Sequence, residues 1–249
     1  MQVPISADSP NQILAALPAE EYDRLVPHLK LTELSLGKVL YETDDPIDYV
    51  YFPSASVVSL VTHMKDGASI EVGIVGKEGV VGITVIMGDL RAPNQAIVQI
   101  ADGAMRMKAP ILQEEFKRAG ELQRLLLRYT RATLRQACQT AACNRSHHIG
   151  GRLARWLLAC QDRVGGNELK LTQEFIAEML GTRRQGVTEA ANLLRDAKLL
   201  RYVRGHITIL DRKGLEEFAC ECYEVIKTEF DRARQNESEA AADAVSLPG

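Results

Sequence analysis

The stretch Thr172–Leu194, TQEFIAEMLGTRRQGVTEAANLL, decides the reading of this 249-residue chain. It reads as a helix, a tight turn at Gly181 and a second helix. Ile176, Ala177 and Leu180 put apolar groups on one face of the first helix. Val187, Ala190, Ala191 and Leu194 do the same for the second. Ala177 is small, so two helices cross closely there. Gly181 suits a turn that needs a positive φ. Thr182 is placed to cap the following helix through its hydroxyl. With the apolar set turned inward, Arg184, Gln185, Thr188 and Glu189 share the outer face. In a major groove Arg pairs with guanine and Gln with adenine, so this face predicts readout of double-stranded DNA. Spacing, glycine and face agree on a helix-turn-helix over an ordinary helical hairpin.

Downstream, Leu200–Val203 and His206–Leu210 read as two strands around Arg204-Gly205, the wing of a winged helix. Arg201, Arg204 and His206 would then lie beside a DNA backbone. Thr172 and Arg183, at the starts of the two helices, complete the predicted DNA-binding set. Upstream, Leu169–Leu171 reads as a short strand. Arg152–Arg163 reads as a helix that buries Leu153, Trp156, Leu157 and Cys160. Gly150-Gly151 interrupts the helical run, because glycine costs about 1 kcal/mol in a helix interior, and His147–Gly151 reads as a hinge. Arg145–Lys213 holds 13 basic and 7 acidic residues, although the whole chain carries a net charge of −3. A basic domain in an acidic chain suits phosphate binding.

Before the hinge, Glu121–Ser146 is a long helix unbroken by Gly or Pro. Leu122, Leu125, Leu126, Tyr129, Thr133, Ala137 and Thr140 form a narrow stripe near a 3.5-residue repeat. One reading is a two-helix dimer seam, with Leu122, Leu126, Tyr129 and Thr133 at the interface. The other is a helix packed on its own barrel. Length and narrowness favour the seam. From Leu31 to Met107 the period is that of strands. Val39–Tyr41, Tyr49–Phe52, Val57–Thr62, Ser69–Ile74, Ala96–Ile100 and Ala104–Lys108 are separated by turn residues such as Asp44-Asp45-Pro46 and Asp66-Gly67. Gly73, Gly76, Gly79 and Gly82 read as tight turns within a small barrel or jelly roll. Asn11–Lys30 supplies two short helices, the second starting at Pro18. Leu215–Arg232 reads as one amphipathic helix, and Gln235–Gly249 as a disordered tail.

A hydrophobic content of 46% and a charged content of 25% fit a globular protein with a real core. No apolar run is long enough to span a bilayer, and the N-terminus lacks the pattern of a secretory signal. The cysteines number five, begin at Cys138 and form no paired framework, which points to a reducing cytoplasm. Cys143 and His147 have ligand-like spacing on a helix, but read as a buried Cys beside a hinge His. Cys220 and Cys222 fall on different faces of their predicted helix, poorly placed for one metal. No metal and no cofactor are therefore expected. A cupin-like metalloenzyme would use a similar roll but needs converging ligands. His28, His63, His147, His148 and His206 are too scattered. No catalytic triad or phosphate-transfer loop is present, so no enzyme is expected.

This order of parts resembles the Crp/Fnr family of transcription regulators. The resemblance runs from about Asn11 to Leu215. It is strongest in LGKVLYETDDPIDYVYF (Leu36–Phe52), EVGIVGKEGVVG (Glu71–Gly82) and the helix-turn-helix stretch. It implies an α+β fold: an N-terminal β-roll or jelly roll, a long dimerisation helix and a C-terminal winged helix-turn-helix. The expected organisation is a cyclic-nucleotide-binding-like sensor over 1–115, the dimerisation helix and hinge over 116–148, the DNA-binding domain over 149–213, and a C-terminal helix and tail over 214–249. The partners implied are DNA, a second copy of the chain, RNA polymerase and a small-molecule effector.

The effector site departs from the cyclic-AMP pattern of that family. The turn Gly79–Gly82 has Val80 where those members carry a ribose-binding Glu. Asn94 and Gln95 stand where they carry the Arg-Ser that holds the cyclic phosphate. A buried phosphate wants a charged, forked donor, so cyclic AMP is not the expected effector. Arg91, nearby, is the one substitute for a shifted site. In the recognition helix Gln185 replaces the usual Glu and Glu189 the usual Arg, which implies a different DNA half-site.

Overall fold

The computed structural model describes residues 9–235. Helices α1 (Gln12–Ala15) and α2 (Ala19–Leu25) come first among the described residues. Asn11 caps α1, accepting from the amides of Ile13 and Leu14, while its side-chain amide donates to the carbonyls of Pro53 and Gly79. One residue thus ties the N-terminal helices to the roll.

The roll contains β1 (Lys30–Leu34), β2 (Val39–Tyr41), β3 (Tyr49–Pro53), β4 (Val57–His63), β5 (Ser69–Val75), β6 (Gln95–Ile100) and β7 (Asp102–Lys108). They form two antiparallel sheets, of order β1-β7-β3 and β2-β6-β4-β5. The β4–β5 hairpin pairs His63 with Ser69 across Asp66-Gly67, where Gly67 has φ +86°. Phe52, Val58, Val81, Val98 and Met107 fill the space between the sheets.

Of the glycines at positions 73, 76, 79 and 82, Gly76 and Gly79 bound one tight turn, closed by the Gly79 amide on the Gly76 carbonyl at 3.0 Å, whereas Gly73 lies within β5. Of these only Gly82, at φ +89°, has the backbone that favours glycine. At the other three a Cβ would overlap side chains from the helices that follow: Gln136 at Gly73, Arg163 at Gly76 and Tyr129 at Gly79. Their spacing records close helix approach along one edge of the roll.

After α3 (Ala109–Lys117) comes α4 (Glu121–Ser146). Its first amides are capped from a distance, because the Glu21 carboxylate accepts from Glu121 and Leu122 at 2.8 and 2.9 Å. The apolar stripe of α4 packs on the roll rather than on a second helix. Leu122, Leu126 and Tyr129, expected at a dimer seam, are 2%, 0% and 3% exposed in the single chain, within the roll's own core. Thr133 is half-buried and donates to the Tyr129 carbonyl. Leu127 and Leu134, on the opposite side, stay 51% and 64% exposed.

The helical run breaks at His147–His148, not at the glycines. Gly150 and Gly151 lie in the first turn of α5 (Ile149–Val164), which His148 caps by accepting from the Gly151 amide. The glycines leave room for Phe218 and for the backbone of Cys220. Trp156, Leu157 and Leu158 are buried in a second core shared with Val57, Val61 and Ile74 of the roll.

Strands β8 (Glu168–Lys170), β9 (Leu200–Val203) and β10 (His206–Ile209) form a sheet of order β8-β10-β9 beside α6 (Gln173–Met179) and α7 (Arg184–Asp196). The expected C-terminal helix is two, α8 (Arg212–Phe218) and α9 (Cys222–Arg234). Helix α9 returns along α4, and Phe230 lies 6.1 Å from the Tyr129 ring. The expected disorder beyond Gln235 lies outside the described residues.

Candidate nucleic-acid interface

Helices α6 and α7 are set by their caps and by one turn. Thr172 opens α6, its hydroxyl accepting from the Phe175 amide at 3.2 Å. Gly181 has φ +56°, and the Thr182 amide bonds back to the Ala177 carbonyl at 2.9 Å. Thr182 does not cap α7. The cap residue is Arg183, and no side chain bonds the first amides of that helix. The positive end of α7 lies beside two exposed arginines, Arg183 and Arg184.

Val187, Ala190, Ala191 and Leu194 are buried, so the register of α7 is fixed. Arg183, Arg184, Gln185 and Glu189 are exposed on the other side. The Gln185 amide donates to Glu189 at 2.9 Å, which pre-orients both groups. Thr188 is half-buried, and its one hydroxyl proton is shared between the Arg184 carbonyl and Gln173 Oε1, each 3.0 Å away.

The wing is the β9–β10 hairpin. Arg204 and Gly205 both have positive φ, +48° and +81°, as a two-residue hairpin turn demands. Arg201 and Arg204 are exposed. A groove lined by Thr172, Gln173, Arg184, Tyr202, Arg204 and Gly205 joins the wing to the two helices. The sequence reading missed Gln173 and Tyr202. Gln173 is visible in hindsight one position after the cap. Tyr202 is held by a bond from its hydroxyl to the Leu171 carbonyl at 3.0 Å.

The candidate effector residues lie elsewhere and do not form an open seat. Val80 is fully buried, and the Tyr129 ring packs directly on Gly79. Asn94 donates to Thr62 and Gln95 to Glu42, each at 2.8 Å. The Arg91 guanidinium donates to the Asp44 carbonyl at 2.7 Å on the surface. A cavity of about 320 Å³ instead lies between β5, α4, α5 and α9, with Glu71, Gln136, Arg155, Arg163 and Phe230 on its walls. Burial pushes the Glu71 carboxyl up to about 7, against hydrogen bonds from Ser59 and Trp156. Arg163 pairs with Glu78 at 2.7 Å, both nearly buried.

Residues 151–218 match the family model described as a Crp-like helix-turn-helix domain. The chain thus carries a Crp-like helix-turn-helix domain over its α5–α8 segment. The global nitrogen regulator of Synechococcus elongatus is 23% identical over 198 residues, covering 76% of this chain and 89% of that protein. The global nitrogen regulator of a Nostoc species is 26% identical over 183 residues, covering 70% and 82%. The structure of FixK2 from Bradyrhizobium japonicum superposes with a TM-score of 0.67 at 19% identity, covering 77% of this chain and 98% of that one. That likeness extends the shared fold through roll, long helix and winged helix. Among the described residues no helix is long and apolar enough to cross a membrane.

Proposed function

We propose that the chain acts in the cytoplasm as a homodimer that reads a two-fold-related DNA site through α7 and its wing. The observation that carries this reading is the joint exposure of Arg183, Arg184, Gln185 and Glu189 with the wing arginines Arg201 and Arg204. Arg184, Gln185 and Glu189 are the base-reading set, with Arg to guanine, Gln to adenine and Glu to cytosine. Thr172, Arg183, Arg201 and Arg204 bind phosphates and fix the register. Thr188 orients the Gln173 side chain through its hydroxyl contact.

The dimer forms through the exposed face of α4. Leu127, Thr130, Leu134, Ala137 and Ala141 recur at alternating steps of three and four residues. That is the spacing of a coiled-coil seam. It runs opposite the stripe that covers the roll. RNA polymerase is the further partner of a regulator of this design.

The effector is not cyclic AMP. A cyclic nucleotide needs a counter-charge for its phosphate in the roll. Here the Gly79–Gly82 turn is sealed by Tyr129, and Asn94, Gln95 and Arg91 are committed to other bonds. A small molecule of other chemistry has room in the cavity beside Glu71 and Arg163. Selection of bound sequences from random DNA, repeated with Arg184→Ala, tests the DNA reading. The parent should enrich one two-fold motif, and the variant should lose preference at one base pair in each half-site.

A further inference from the structure

Four side chains that lie far apart in sequence meet at the junction of α4 and α5. Cys143 is buried in the last turn of α4, and His147 is the residue on which that helix stops. Cys220 sits in the bend between α8 and α9, and Cys222 opens α9. The split of the C-terminal helix corrects the expectation that Cys220 and Cys222 diverge, since only one of them is helical. One donor atom from each of the four lies within 4.8 Å of all the others. Cys143 Sγ is 3.5 Å from Cys220 Sγ, and Cys222 Sγ is 3.5 Å from His147 Nδ1. Ligands on a tetrahedral ion with Zn–S bonds of about 2.3 Å stand roughly 3.8 Å apart. We infer that Cys143, His147, Cys220 and Cys222 hold one zinc ion, as three thiolates and one imidazole.

The surroundings separate this site from thiols that merely pack. His147 turns Nδ1 toward the sulfurs and holds Nε2 3.1 Å from a Glu221 oxygen. With Nδ1 on the metal, Nε2 carries the proton and donates to Glu221, the arrangement that orients zinc-bound imidazoles. Gln139 donates to Cys222 Sγ at 3.1 Å, a bond that a thiolate accepts better than a thiol. Arg152 and Arg155, on the first turns of α5, are 8% and 6% exposed. Neither makes an ion pair among the described residues, and the Nε of each lacks a hydrogen-bond partner. Both interact electrostatically with the Cys143 sulfur. Arg155 is offset in part by Glu71, but Arg152 has no carboxylate partner among the described residues, and a buried cation short of counter-charge is costly. A zinc ion with three thiolates carries a net negative charge, which supplies it.

On binding, the three thiol protons pass to solvent, so affinity rises with pH. The ion joins the end of α4 to the α8–α9 bend. Through the bond from the Cys220 amide to the Gly151 carbonyl, at 3.4 Å, it also reaches the first turn of α5. It therefore fixes the break at which the helix-turn-helix segment departs from the long helix.

The test uses the full chain, reduced, stripped with a chelator and titrated with cobalt(II), then zinc. The expected result is one equivalent bound per chain, with a thiolate-to-cobalt charge-transfer band and the visible bands of a tetrahedral ion, both erased by zinc. Cys143→Ser and Cys222→Ser should lose the charge-transfer intensity, while Cys138→Ser, at an exposed cysteine outside the cluster, should keep it. Glu221→Ala should keep the spectrum and bind about 10- to 100-fold more weakly. Absence of a thiolate–cobalt band in the reduced parent chain would overturn the site, whatever the variants do. So would undiminished binding in Cys143→Ser, or a metal-free chain isolated with Cys143 and Cys220 joined as a disulfide.

Discussion

If the chain pairs through α4 as proposed, replacing Leu127 and Leu134 together with Glu should leave it monomeric without unfolding it. The two side chains are 51% and 64% exposed in the single chain, so a partner has that much left to cover. Fully burying a leucine contributes about 1.5–3 kcal/mol. Scaled by the exposed fractions and counted on both protomers, the seam leucines contribute roughly 3–7 kcal/mol to association. At about 1.4 kcal/mol per factor of ten, their loss raises the dissociation constant by roughly two to five orders of magnitude. Four carboxylates facing one another add repulsion to that. Sedimentation equilibrium across a concentration series reads the change directly. Leu126→Ala is the contrasting variant. Leu126 is fully buried in its own roll, so its truncation should lower folding stability by about 2–5 kcal/mol and leave the dimer constant nearly unchanged. A double Glu variant that still sediments as a dimer at micromolar concentration would refute the seam. So would a Leu126→Ala variant that folds stably but dissociates.

Arg184→Ala should lower affinity for the selected DNA site by about 1–3 kcal/mol while changing non-specific binding little, as fluorescence anisotropy would show. Arg204→Ala should weaken all sequences alike and reduce the slope of affinity against salt by about 1. Titration calorimetry with cyclic AMP and cyclic GMP should give no micromolar binding, and a signal that also raises DNA affinity would contradict the sealed turn. Glu71, held near 7 mainly by burial, folds more favourably protonated than charged. Stability from this group is full below its ordinary value near 4.5 and falls as pH rises through about 7. Glu71→Gln keeps an acceptor for Trp156 and should flatten that dependence, gaining on the order of 3 kcal/mol at pH 8. Equal slopes of melting temperature against pH in both chains would count against it.

The local elements were largely legible in the sequence, and their partners were not. The bounds of α4 follow from an uninterrupted helical run, but a stripe near a 3.5-residue repeat looks the same whether it faces a roll or a second helix. Only the position of α9, which covers part of α4, and of Tyr129 on Gly79 resolves the face. Gly150 and Gly151 read as a break because glycine is costly mid-helix. In the first turn that cost is smaller, and the space they leave is used by Phe218 and Cys220. The true break, His147–His148, carries neither glycine nor proline. The helix-turn-helix was legible because its caps, its turn and its apolar face are all local. The Cys143–Cys222 cluster was not, because it depends on a bend at Cys220 that no turn residue announces.

The central claim is that α7 and its wing bind a specific two-fold DNA site. The most direct measurement is the affinity of the purified chain for the site selected from random DNA, beside a chain carrying Arg184→Ala, Arg201→Ala and Arg204→Ala. The parent should bind that site specifically, in the range of about 10⁻⁸–10⁻¹¹ M. Half-sites should be centred about one helical turn apart, and the triple variant should lose specific binding with its melting temperature intact. Failure to enrich any motif, or equal binding by the two chains, would contradict that claim.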